Sequence, residues 1–490
     1  MKFLMRRFEI NYFIFLIICD YIFAKLKSLF SIKTNLIDFS EEIIDCEEVN
    51  LFLRNYDSPA NDKFNELTLN KLDIALKYPN QFGIYNLSEL SINKFKNKKI
   101  NNKELNINRN KIFNIIWKNR EKRLLSNNHL LNNYRALIYL SFDKTQRELN
   151  RLIKLLIIHH DNIFNLDGTS KEGSTSYSFL VTFWICDLVQ YLENKKFSPE
   201  FSLNLLRTKM FDSLKVCHLI LKCTADNKFC IGDITPDIPS IELCNLIKFY
   251  IKKYDVKEEI SFSSNSSIHY QTKSNNHVTL SKRSNHKSNV IQDHSHHDIS
   301  SITWTYKDIP ILVDPGCKSY DKRFEDHNQI LFENHNTIFP DKNFLSKEFP
   351  TLNKNKLSKS LSYFDEYLDF SEELIIYILK GRFFKIKRAV NINKSRFIYI
   401  KDEITKYVPL NFVFFNWNIH PSFPKKDLII RNSDSECLLK KNKYCFSDDY
   451  SVVKEGVKIF GKSNFYSRIV KFEHVFEYCK GSLRYNFKRI

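Results

Sequence analysis

Near residue 258 the spacing of apolar residues changes from helical to alternating. From about 65 to 250 they recur at three- and four-residue steps, as at Leu149, Leu152, Ile153 and Leu156, and again at Leu180, Trp184, Leu188 and Leu192. Asn/Asp/Gly-rich breaks near 161–170 and 226–239 separate such segments, which predicts a series of antiparallel helical hairpins. A Ser/Asn/His-rich stretch, 261–298, then leads into short runs of period two: Ile302–Tyr306, Ile375–Leu379, Phe397–Ile400 and Phe412–Trp417. Many short strands separated by turns predict a β-sandwich. The chain has 490 residues, and a single core rarely grows past roughly 250–300. The fold class is therefore α+β multidomain, with a boundary near 250–262.

Composition narrows the function classes. Hydrophobic residues make up 43% of the chain, enough for large cores, which excludes general disorder. Only 9 Gly occur, which argues against collagen-like repeats and glycine-rich phosphate loops. The net charge is +19, and the block 94–123 alone holds 11 Lys/Arg against Glu104 and Glu121. That block is either a solvated helix surface or an attractor for a polyanion. Lys, Asn, Ile, Phe and Tyr are abundant throughout, so part of the charge is background. No helix-turn-helix, zinc-finger or RNA-recognition signature accompanies it, so no nucleic-acid partner is expected.

The 11 Cys contain no C-x-x-C and read as buried free thiols, which favours a reducing compartment. The N-terminus points the other way. A basic start, MKFLMRR, precedes an apolar run from Ile10 to Cys19, similar to a signal peptide, although Glu9 and Asp20 flank the run. The run is too short for a stable membrane span. The expectation is a cell-envelope or periplasmic protein, with a cytoplasmic one as the alternative.

Residues 456–463, GVKIFGKS, satisfy the P-loop pattern. A phosphate loop needs a following helix whose N-terminus meets the anion. Here NFYSRIVKFEHVFEY follows, rich in aromatic and β-branched residues, so the segment is expected to be a strand and no nucleotide is expected to bind.

Eight of the 14 His lie between 269 and 335. The densest part is Asp293-His294-Ser295-His296-His297-Asp298. Val313-Asp314-Pro315-Gly316, Tyr320 and Asn334-His335-Asn336-Thr337 follow. In an extended segment His294, His296 and Asp298 share one face and His297 takes the other. Imidazole and carboxylate are Zn²⁺ ligands, so the cluster is a candidate site rather than scattered structural histidines.

The stretch HSHHDISSITWTYKDIPILVDPGCKSY…ENHNT resembles the C-terminal β-domain of the heparinase II/III-like polysaccharide lyases, with Asp293 where that family usually has Gly. Phe415–Pro421 resembles the family's second sheet. Asn127-Asn128-His129-Leu130-Leu131 is similar to its N-H motif, and Asp167–Tyr177 to its G-x-x-x-E-x-S-x-x-Y element, with Ser178 where a His often follows. Ile231-Gly232-Asp233-Ile234-Thr235-Pro236-Asp237 is similar to a landmark of one subgroup. These elements run in family order from about 125 to 421, and nothing before residue 60 takes part.

The resemblance implies an N-terminal incomplete α/α toroid followed by a C-terminal antiparallel β-sandwich. The expected division is a 1–60 N-terminal segment, a 61–257 toroid domain and a 258–490 β-sandwich domain. It implies cleavage of a uronic-acid-containing polysaccharide by β-elimination. Removing the C5 proton beside a carboxylate requires that carboxylate to be neutralised or hydrogen-bonded. Asn128 is the implied donor, with His129 assisting. Tyr177 and His294 are the implied acid and base. Glu172, Arg135 and Arg323 are substrate-binding candidates, and Arg388 a further speculative one. His296, Asp314 and His335 match the family's metal positions and imply a structural Zn²⁺. His297, Asp298 and Asn336 are candidates to fix imidazole tautomers. The alternative reading is a non-catalytic polysaccharide-binding or processing protein of a capsule or lipopolysaccharide pathway.

Overall fold

A computed structural model describes residues 85, 87–89, 91–92, 103–120, 128–141, 145–195, 200–235, 237–257, 261–262, 267–282, 294, 296, 298–317, 334–340, 365–381, 383–392, 395–423, 425–435, 437–449, 452–479 and 481–490. The expected 1–60 segment, Asp293, His297, Tyr320 and Arg323 lie outside the described residues. The chain divides into two compact units: residues 1–166, 181–211 and 287–291 form one, and 167–180, 212–286 and 292–490 the other.

Among the described residues the six long helices are α1 (Lys103–Asn119), α2 (Asn128–Leu140), α3 (Gln146–Ile163), α4 (Thr175–Asn194), α5 (Glu200–Cys223) and α6 (Ser240–Lys253). In the first unit α1 and α2 form an antiparallel hairpin, because Arg109 near the start of α1 donates to the carbonyl of Leu140 at the end of α2, at 2.7 Å. The ring of Tyr134 on α2 stacks on His159 of α3, centroids 5.1 Å apart. α3 shows why the sequence folds this way. Leu152, Ile153, Leu156, Ile157, His160 and Ile163 make its buried stripe, and Thr145 with Glu148 forms a capping box at its start. Thr145→Ala should cost about 1 kcal/mol, read as a lowered denaturation midpoint, because the Glu148 N–H loses the Thr145 hydroxyl that accepts it.

The described strands all belong to the second unit. They are β1 (Ser261–Phe262), β2 (Ile268–Lys273), β3 (Asn276–Ser281), β4 (Ile302–Tyr306), β5 (Ile309–Leu312), β6 (Ile338–Pro340), β7 (Asp365–Phe370) and β8 (Leu374–Lys380). β9 (Phe384–Ile392), β10 (Phe397–Lys406), β11 (Phe412–Ile419), β12 (Leu428–Asn432), β13 (Cys437–Phe446), β14 (Lys454–Asn464), β15 (Ile469–Cys479) and β16 (Ser482–Arg489) follow. One sheet runs β1-β2-β3-β4-β5-β11-β14-β13 with β6 also paired to β11, and the other β12-β16-β15-β10-β9-β8-β7. The described pairings are antiparallel except β12 with β16, which are parallel.

One core lies between the sheets. Phe415 on β11 meets Phe472 on β15 and Phe487 on β16, and Trp417 meets Phe476, at centroid separations of 5.2–5.8 Å. All four alternating runs read from the sequence are strands. The stretch 261–298 also holds β2 and β3, which alternation did not reveal. Both faces of these strands are buried, and polar His269, Gln271, His277 and Thr279 occupy buried positions on them. Phe415–Ile419 belongs to the same sheet as β4 and β5 rather than to a second one, since β11 pairs with β5 and β6. GVKIFGKS lies wholly within β14, paired on one side to β11 and on the other to β13.

Candidate active site

The site grows from the first turn of one helix and from short segments of the second unit that adjoin its strands. The first is the serine-rich start of α4. The Ser174 hydroxyl accepts from the Tyr177 backbone N–H at 3.1 Å and donates to the Asp233 carbonyl at 2.7 Å. The Thr175 N–H donates to the Ile231 carbonyl at 3.0 Å, and its hydroxyl accepts from the Ile231 N–H at 3.0 Å. The Ser176 hydroxyl accepts from the Thr235 N–H at 3.1 Å. A run of hydroxyl residues thus caps one helix and clamps the loop 231–235 along its first turn.

Gly232 makes that clamp possible. Its φ is +75°, and a Cβ there would lie 2.6 Å from the Gly173 carbonyl oxygen and 2.7 Å from that of His294. The next residue, Asp233, donates its N–H to the His294 carbonyl at 3.0 Å. Its carboxylate is fully buried between two imidazoles. Oδ2 lies 3.2 Å from His294 Nδ1, and Oδ1 lies 3.1 Å from His296 Nε2.

The Tyr177 ring stacks on the His294 imidazole, centroids 3.6 Å apart and planes 9° from parallel. A phenol and an imidazole, 117 residues apart in sequence, are therefore in van der Waals contact inside one compact unit. His294 keeps 14% of its side chain exposed, whereas His296, Asp314 and His335 are sealed.

Deeper in, His335 Nδ1 lies 3.0 Å from Asp314 Oδ2, and His296 Nδ1 lies 3.9 Å from Asp314 Oδ1. The Gly316 N–H donates to Asp314 Oδ1 at 3.0 Å. His296, Asp314 and His335 present donor atoms all within 4.8 Å of one another, and so do Asp233, His296 and Cys317. His296 Nδ1 is buried and makes no hydrogen bond. A buried nitrogen facing a buried carboxylate and a second imidazole suits a divalent cation, so the donor set fits a metal.

The remaining candidates fall elsewhere. Glu172 is buried in the loop before α4, its N–H donating to the Ser170 hydroxyl at 3.2 Å. Asn128 opens α2 in the first unit and accepts the His129 N–H at 3.0 Å, and the His129 ring lies 4.7 Å from that of Tyr85. Arg135 is buried in the same unit, 2.9 Å from Glu89 and 3.4 Å from Asp187. Burial opposes its charge, but Glu89, Tyr139 and Asp187 outweigh this and hold the guanidinium above its ordinary value. Arg388 is fully buried in the sandwich, bidentate to Asp402, so it does not reach a substrate. Asn336 ties backbone rather than imidazole: its amide donates to Ile302 and Val313 carbonyls at 2.8 and 3.0 Å. Asp298 is fully buried. The Ser178 hydroxyl is bonded to the Ser174 carbonyl of its own helix at 2.6 Å.

Sequence reasoning did not single out Asp233 or Cys317. Asp233 stood inside the 231–237 landmark, and Cys317 read as one more apolar thiol. Nine cysteines are among the described residues, seven of them buried.

No family model matches the sequence. No curated protein matches it either. Solved structures do match. The crystal structure of heparinase III superposes with a TM-score of 0.58 at 13% identity, over 84% of this chain and 75% of that one. The heparan sulfate lyase HepC mutant from Pedobacter heparinus gives 0.53 at 12%, over 75% and 62%. A second heparinase III gene product gives 0.50 at 11%, over 78% and 69%. The chain thus spans about 62% of the length of the HepC structure. It has a heparinase-like fold.

Proposed function

We propose that this protein is a polysaccharide lyase that cleaves a uronic-acid-containing polymer by β-elimination. The observation that carries the reading is the Tyr177–His294 stack at 3.6 Å, with His294 Nδ1 held by Asp233 at 3.2 Å. The heparinase-like fold supports it.

A carboxylate that accepts at Nδ1 leaves His294 Nε2 with its lone pair, ready to take or return a proton. Tyr177 beside it supplies the second proton-transfer group. One abstracts the C5 proton, and one protonates the leaving O4. The bond from C4 to that oxygen breaks, and a C4–C5 double bond forms. Asn128, with His129, hydrogen-bonds the substrate carboxylate so that charge spreads into it. In this reading the helices form an incomplete α/α toroid, 61–257, and the β-domain spans 258–490. Glu172 and Arg323 bind sugar, while Arg135 acts as a brace inside the helical unit.

His296, Asp314 and His335 would hold a Zn²⁺. When bound, the ion supplies a structural cross-link between the loops of the β-domain. The partner is an acidic polysaccharide, and the place of action is the cell envelope or periplasm. No described helix is long and apolar enough to cross a membrane.

The test is to incubate the full chain with a panel of uronic-acid polysaccharides and follow the ultraviolet absorbance of the unsaturated uronate. Absorbance should rise with at least one polymer. Polymer binding without any rise would replace the lyase with the non-catalytic polysaccharide-binding reading.

A further inference from the structure

Asp233 faces two imidazoles with its two oxygens, one each, and is fully buried. The polypeptide invests heavily in placing it. Three consecutive hydroxyl residues clamp its loop, Gly232 takes a left-handed φ that a side chain would block, and the Asp233 N–H is bonded to the His294 carbonyl. A carboxylate can only accept. Each imidazole must therefore present an N–H to it: Nδ1–H on His294 and Nε2–H on His296. In a neutral ring that choice leaves the opposite nitrogen bare. On His296 the bare atom is Nδ1, which makes no hydrogen bond and lies on the Asp314 side, 3.9 Å from Oδ1. On His294 it is Nε2.

We propose that Asp233 is a shared positioning residue, one carboxylate that sets the tautomers of two histidines with different tasks. Through His294 it fixes the nitrogen that handles the substrate proton. Through His296 it fixes Nδ1 as the metal-ligating atom, in company with Asp314 and His335. The inference takes the tasks of the two histidines from the lyase reading, but the tautomers themselves do not depend on catalysis.

Asp233→Asn is the discriminating variant. It keeps the shape of the side chain but replaces one acceptor with an NH₂ donor. Asparagine can satisfy one imidazole as before, and the other must turn its lone pair toward the amide. Magic-angle-spinning NMR on protein with nitrogen-labelled histidine, assigned with His294→Gln and His296→Gln, reads both tautomers. The wild type should show Nδ1–H at His294 and Nε2–H at His296, and Asp233→Asn should invert one of them. Chelator competition should show zinc affinity lowered about 10- to 100-fold, and a substrate turned over by the wild type should show lowered kcat with little change in KM.

The proposal is overturned if the wild-type tautomers are otherwise, or if both persist in Asp233→Asn. Should that variant fail to fold, the wild-type tautomers alone decide. Absence of zinc binding in the wild type would remove the metal reading, while the His294 tautomer would still test Asp233. Absence of lyase activity would remove the catalytic reading and leave both tautomer measurements standing.

Discussion

Replacing Tyr177 with Phe should lower β-elimination turnover by about 100- to 10,000-fold, the range general acid–base groups supply, while the fold persists. The substitution removes only the phenolic oxygen. The ring can still stack on His294, and the Tyr177 backbone N–H still reaches the Ser174 hydroxyl at 3.1 Å. Loss of rate with an unchanged circular dichroism spectrum and denaturation midpoint therefore reports the proton and not the packing. The measurement is the initial rate of absorbance increase on a responsive polymer. A variant with the full wild-type rate would falsify the proton-transfer role of Tyr177 and leave the stack as a packing contact.

The second large effect concerns the interior of the sandwich. Asp402→Asn should destabilise the sandwich by about 3–5 kcal/mol, the usual cost of breaking a buried ion pair from one side. Arg388 on β9 and Asp402 on β10 stand directly opposite in the hairpin register. Two parallel N–H donors reach the carboxylate at 2.7 and 2.8 Å, and both residues are fully buried. Arg388 also donates to the carbonyls of Ser300 and Asn336, next to β4 and β6, so the pair bolts one sheet to the other. With Asn at 402 the guanidinium keeps its charge and loses its counter-charge. Chemical denaturation of the full chain should show the lower midpoint, and an unchanged midpoint would mean that the carbonyls suffice.

Acid should unfold the sandwich through the same network. Burial pushes the Asp402 carboxyl up, but the charge and hydrogen bonds of Arg388 outweigh it and hold the group down at about 2. Its contribution is complete above the unfolded value of about 3.9, and is lost as pH falls through about 2. Burial holds His474, 3.5 Å from Asp402, below its ordinary value against the pull of that carboxylate. The unfolded chain therefore takes up a proton at this histidine first, and stability declines as pH falls from about 6.5.

What could be read from the sequence follows the physics of each segment. β8 and β9 alternate inside and outside residue by residue, so their period is visible. β2 and β3 carry inward polar groups such as the His269–Gln271 pair, at 2.9 Å, and their period is hidden. The helical stripe of α3 was legible for the opposite reason, one apolar face against water. At the site, Tyr177, His294, His296, Asp314 and His335 stood out because their residue types carry chemistry and lay in ordered motifs. Asp233 did not, since its importance comes from a loop folded against the hydroxyls of a helix 57 residues away from Ser176 in sequence. Arg388 looked like a spare cation, because its partner is declared only by hairpin register.

The parallel pairing of β12 with β16 has a consequence for how the protein is made. β16 is inserted between β12 and β15, so β12 has no sheet to join until residues 482–489 have been synthesised. Ribosomes deliver the chain from its N-terminus, and the tying strand arrives roughly fifty residues after the one it captures. During that interval Leu428 and its neighbours wait with an apolar side uncovered. A nascent polypeptide stalled before Ser482 should thus be a chaperone client, and a shortened version ending there should aggregate rather than merely lose its last strand.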